Sequence, residues 1–155
     1  MPLFGSRLPA DVRTALAGER PLSHARTPSG AFVVATLTAL HLPDGERLPW
    51  HRVHKAVWDQ QGVTIILGDA TEHRLDLPRP GLLPETIRER VTNSIVASRY
   101  VRLGEHGVRL VARRIAGQDG VVWEYAYDAG LDPDNPGTRA ALEQALEEVR
   151  RSLGV

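Results

Sequence analysis

The chain has 155 residues, 42% apolar and 25% charged, enough for one domain that buries roughly two-thirds of the surface its unfolded form exposes, without a disulfide or metal. Nineteen basic and nineteen acidic residues cancel, so no whole-molecule field draws it to nucleic acid or lipid, and any electrostatic partner must meet a local patch. The absence of cysteine excludes disulfide frameworks, thiolate nucleophiles and Cys-ligated zinc together, and suits a reducing cytoplasm.

Lys55 is the only lysine, a bias that reads as GC-rich coding before it reads as function. The first five residues lack a basic region followed by an apolar one, and Pro2 precludes N-myristoylation. The longest apolar run, Ala31 to Ala35, is far below the ~20 residues of a spanning helix. A soluble, cytoplasmic, single-domain protein over 1–155, with its core from about 18 to 153, is expected.

Residues 9–17 open on Pro9, repeat apolar groups at Val12, Ala15 and Leu16 and stop at Gly18, which predicts a short amphipathic helix. Gly18 to Gly30 shows no period and reads as a loop. Ala31 to Leu42 reads as one strand, apolar on both parities. After a turn at Pro43-Asp44-Gly45, strands are expected at 49–59, at 63–67 beyond a tight Gln60-Gln61-Gly62 connection, and at 72–77, the last edge-like. Leu83, Ile87, Val91 and Ile95 fall at four-residue spacing, predicting a helix over about 84–97 with one buried stripe. Three strands follow, at 99–103, 108–115 and 121–128, and then a helix over about 138–153 with an apolar stripe of Leu142, Ala145, Leu146, Val149 and Leu153.

A hairpin with Glu105 and His106 at its tip would pair Leu103 with Val108 and set Arg102 opposite Arg109, a like-charge contact the next strand must offset. A four-residue loop at 117–120 does so, placing Arg113 opposite Glu124 and Arg109 opposite Asp128. It also turns Val108, Leu110, Ala112, Tyr125 and Tyr127 inward. Arg102, Arg109 and Arg113 then share an outward face.

Local motifs add a resemblance. Gly18-Glu19-Arg20-Pro21-Leu22, then Ala35-Thr36 to Ala39-Leu40, then Pro49-Trp50 with Val53 and Ala56-Val57-Trp58 resemble small actinobacterial pleckstrin-homology-like proteins, in which an ATxxAL strand precedes a PWxxVxxAxW strand. The resemblance covers roughly residues 18–128. It implies an α+β fold: a PH-like 4+3 stranded antiparallel barrel or sandwich, with an N-terminal helix and the 138–153 helix as its cap. The helix inserted at about 84–97 departs from a minimal barrel of that kind. These motifs are structural and carry little function.

Chemical motifs are weak. His51 and His54 have a metal-like spacing, but on a strand residues three apart point to opposite faces. Asp132-Pro133-Asp134-Asn135-Pro136-Gly137 with Glu143 partly matches a calcium loop, yet Pro136 and Arg139 break the pattern and a strand precedes it. A helix entry capped by Thr138 or a nearby aspartate is the expectation. No nucleophile elbow, phosphate loop, dinucleotide fingerprint or H-E-x-x-H occurs, so no catalytic residue, metal or cofactor is assigned. Trp50, beside Pro49, is expected to be partly exposed. The resulting expectation is a non-catalytic protein-interaction or scaffolding module whose surface includes Arg102, Arg109, Arg113 and Trp50, with a protein partner, no nucleic acid and no integral membrane segment. A peripheral binder of anionic lipid headgroups or phosphates, and a small enzyme, are the alternatives.

Overall fold

The computed structural model describes residues 8–154, an α+β chain of ten strands in three antiparallel sheets with three α-helices. Its contacts fall into two compact units that divide between Thr92 and Asn93.

The first unit begins with α1 (Ala10–Ala15). It is followed by β1 (Pro21–Arg26), β2 (Phe32–Thr36), β3 (Ala39–His41) and β4 (Arg47–Pro49), paired in that order. A single 3-10 turn at Trp50–Arg52 leads into β5 (Val53–Trp58), β6 (Gly62–Leu67) and β7 (Glu72–Asp76), a second three-stranded sheet, and then into α2 (Leu83–Ser94). One core is shared by both sheets and the helix: Val33 and Leu40 from the first, Val63 and Ile65 from the second, and Leu83 and Ile87 from α2 are all at most 1% exposed. Leu8, Leu16, Val34 and the half-buried Val12 and Phe32 form a smaller cluster, which fastens the α1 segment to β2.

Three sequence expectations are corrected here. Residues 21–26, expected as loop, form the edge strand β1, where Pro21 sits at the first position and Ala25 is buried; an edge strand tolerates a leading proline and sparse apolar content. The segment 31–42 is a hairpin of two strands, because the Thr36 side chain closes the reversal. Its hydroxyl oxygen accepts the Ala39 N–H at 3.2 Å, replacing the glycine or proline that a turn usually advertises. The 49–59 strand is broken by the turn at Trp50–Arg52, which carries the chain from one sheet to the other. The edge-like strand at 72–77 is borne out, with β7 at the edge of its sheet. At Gly62 a β-carbon would run into the Leu75 carbonyl, so the tight approach of β6 to β7 requires glycine.

The second unit contains β8 (Ile95–Leu103), β9 (His106–Arg114), β10 (Val121–Tyr127) and α3 (Pro136–Leu153). Val108 and Leu110 of β9 pack with Leu142 and Val149 of α3, and Val101, Trp123, Tyr125 and Tyr127 complete the layer. The predicted stripe of α3 is thus largely realised, although Leu146 is only half-buried. Asn135, rather than Thr138 or an aspartate, caps the helix, its side chain accepting from the N–H groups of Gly137 at 2.8 Å and Thr138 at 3.3 Å.

Both registers of the meander differ from expectation by two residues. The β8–β9 turn is Gly104-Glu105, so Tyr100 faces Arg109 and Arg102 faces Gly107. On the other side Val111 faces Glu124 and Arg109 faces Ala126. A shift of two preserves every side chain's face, which is why the inward set of Val108, Leu110, Ala112, Tyr125 and Tyr127 holds. The helix expected to end near 97 ends at Ser94, and Ile95, the last of its predicted stripe, is 40% exposed in β8. Of the expected barrel or sandwich, the barrel is corrected, since none of the three sheets closes on itself, while the α+β, sandwich-like class stands.

Candidate functional site

The most site-like concavity lies within the first unit, between β5 and α2, with a volume of about 420 Å³, in the range of small ligand clefts. Strand pairing determines its floor. Ala56 and Trp58 sit opposite Ile65 and Val63, both fully buried, so these two side chains turn toward the core. Pro84, Ile87, Arg88 and Val91 recur at helical spacing and form the facing wall. The alternate residues Lys55 and Val57 turn to the outer face, where Val57 is 47% exposed. Among the described residues β5 has a strand neighbour on one side only, namely β6. The concavity therefore runs beside an open sheet edge.

Its charged lining is Lys55 and Arg88 against Glu85, with His54 beside them. Neither Lys55 nor Arg88 forms an ion pair among the described residues, whereas Arg47, Arg74, Arg90 and Arg113 all do.

A second polar cluster surrounds Glu19. Its carboxylate accepts from the hydroxyls of Thr36 at 2.8 Å and Thr38, from Arg47 Nε at 3.2 Å, and lies 3.1 Å from His41 Nε2. Burial pushes the Glu19 pKa up, but the bonds from Arg47, Thr38 and Thr36 outweigh it and bring the value down to about 2. A general base works best with a pKa near the operating pH. A carboxylate held this low is a fixed anion, and this one ties the segment ahead of β1 to β2, β3 and β4.

Of the sequence-predicted surface residues, Arg102 and Arg109 keep a shared face as diagonal neighbours across β8 and β9, while Trp50 and Arg113 are buried. Trp50 is 3% exposed, its indole N–H donating to the Thr36 carbonyl at 2.9 Å, which corrects the expectation of partial exposure. Arg113 is also 3% exposed, with Nε 2.7 Å from Glu124 Oε2 and Nη1 2.8 Å from the Ser94 hydroxyl, so it belongs to the interior. The predicted Arg113–Glu124 pair forms, diagonally across the strands rather than directly opposite. Arg109 does not meet Asp128: it reaches Ser98 at 3.1 Å and lies over the Tyr100 ring, while Asp128 accepts from the Tyr100 hydroxyl and from the Gly107 N–H at 2.8 Å. Arg102 is exposed and donates to the Gly104 and Glu105 carbonyls, at 3.4 and 3.5 Å.

His51 lies in the 3-10 turn rather than on a strand, and its pKa is lowered by burial first, then by Arg52 and Arg47. Among the described residues no three His, Asp or Glu side chains are grouped to hold a metal ion, and no helix is long and apolar enough to cross a membrane. The groove itself escaped sequence reasoning, which placed Ile87 and Val91 in a buried stripe and an open edge only at 72–77. The one available signal was a lone lysine within an apolar strand. No protein-family model, curated protein or solved structure matches the chain.

Proposed function

We propose that the protein is a non-catalytic interaction module of the cytoplasm that takes an extended segment of a protein partner along β5, in the groove walled by α2. The observation that carries this reading is the coincidence of an open strand edge with an apolar concavity. Strand addition supplies main-chain hydrogen bonds along such an edge, and the adjoining groove selects among side chains. The other edge of the same sheet, β7, is guarded by Arg74, which lies 2.6 Å from Asp59 and 3.5 Å from Asp76, and it adjoins no comparable groove among the described residues.

A pleckstrin-homology-like organisation of this unit belongs to the same proposal. Four strands, then three, then a helix occur in order from β1 to α2, so the resemblance is best referred to residues 21–94, as a two-sheet sandwich, rather than to the whole chain. An enzymatic reading has less support, since the most connected carboxylate is a fixed anion.

The test is to pan a display library of random twelve-residue peptides against the protein and map the enriched peptides by amide chemical shifts. Shifts concentrated at 53–58 and 83–92 are the expected result. Enrichment of nothing, or shifts elsewhere, would overturn the proposal. Co-sedimentation with phosphatidylglycerol vesicles that Arg102→Glu abolishes would put the lipid reading in its place.

A further inference from the structure

Given that groove, the side chains on the two faces of β5 specify what should occupy it, and we infer that the partner segment alternates: apolar residues at every second position, with an acidic residue in the intervening position beside Lys55. A chain added to β5 continues the sheet, so its side chains alternate between the same two faces as those of β5. On one face they meet Ala56 and Trp58 from the strand, with Ile87 and Val91 from the helix, a surface that accepts apolar side chains. On the other they stand beside Lys55 and the exposed Val57.

Directly opposite pairs on one face of a sheet favour unlike charges and β-branched neighbours. The Lys55 ammonium, which has no ion-pair partner among the described residues, therefore selects a carboxylate, and Val57 selects valine, isoleucine or threonine one period further on. Arg88, on the helix wall near Glu85, likewise forms no ion pair among the described residues.

Lys55 also decides against a second copy of this chain as the occupant. If two β5 strands pair antiparallel with their apolar side chains kept on the groove face, the two lysines fall directly opposite or diagonal on the outer face. Like charges so placed oppose pairing, and lysine on an edge is a recurrent guard against self-association. A foreign acidic segment suffers no such penalty.

The experiment extends the peptide selection to Lys55→Glu, a change at an exposed position, and measures one enriched peptide and its Glu→Gln analogue by calorimetry. Expected are alternating apolar peptides with an acidic residue in the gap for wild type, and a basic residue there for Lys55→Glu. The Glu→Gln analogue should bind wild type about two- to fivefold more weakly, the scale of an exposed ion pair, and bind Lys55→Glu no more weakly. Peptides that map to 53–58 and 83–92 without an acidic preference, or with one that survives Lys55→Glu, would overturn this inference while leaving the groove in place. Failure to obtain peptides that map there would remove the groove itself, and this inference with it.

Discussion

The two units solve the same problem with different means. The first closes its core between two sheets and a helix, so Leu40, Leu48, Val53 and Val63 are fully buried. The second packs one face of its sheet on α3, and that layer relies on half-buried Trp123, Tyr125 and Tyr127, with Leu142 and Val149 still 9% exposed. Each unit sets a helix beside an edge strand, and among the described residues the groove of the first is the more apolar. The concavity between β8 and α3 mixes polar groups such as Asn135, Gln144 and Glu148 with apolar ones such as Val101, Leu103 and Leu131. A closed core lets a strand edge stand open without exposing the interior, whereas a thin layer must spend its helix on covering the sheet.

That contrast can be broken by leucine truncation. Leu48→Ala should cost about 3–5 kcal/mol in chemical denaturation, Leu142→Ala about 2, and the half-buried Leu146→Ala under about 1. Equal losses at Leu48 and Leu146 would mean that the two cores are equally closed. Next in size is the buried ion pair of the second unit. Arg113→Met should cost about 3 kcal/mol by stranding Glu124, and Arg113→Met with Glu124→Leu should recover most of it. A double variant as unstable as the single would show that the charges are needed for more than each other.

Glu19 sharpens the comparison through pH. Its folded pKa of about 2 lies below the ordinary 4.5, so its contribution is complete above pH 4.5 and fades as pH falls toward 2. Glu19→Gln should lower stability at pH 7 by about 2 kcal/mol, and the gap between variant and wild type should close across that acid window. A gap that stays constant with pH would exclude a charge-dependent role. The smallest effect expected is at the α3 cap: Asn135→Ala should cost about 1 kcal/mol, read as faster hydrogen exchange at Gly137 and Thr138. Unchanged exchange there would discount the cap.

Legibility in the sequence followed the physics of each signal. Helical stripes such as Leu83-Ile87-Val91 announced themselves because a four-residue period is long and redundant. The meander's faces were readable from alternation, but its register was not, since a slip of two residues leaves alternation intact and Arg113 reaches Glu124 diagonally as well as directly. Short strands were hardest. β3 and β4 have three residues each, and the Thr36 hydroxyl makes a reversal that no glycine or proline marks. For the site, composition pointed to arginines, yet several of them are paired within the chain: Arg47, Arg74, Arg90 and Arg113 are all spoken for. Which cations remain unpaired depends on contacts between residues distant in sequence, and sequence alone does not give these.

A chain with nineteen basic residues and a single lysine confines amine chemistry to one side chain. Any reagent or enzyme that acylates an ε-amino group therefore acts on β5 alone, at the lip of the groove, and it removes the charge there while leaving every guanidinium intact. One covalent event of small size would then erase the electrostatic preference of the edge without touching the fold. The same uniqueness makes Lys55 a single-address handle for a fluorophore or cross-linker.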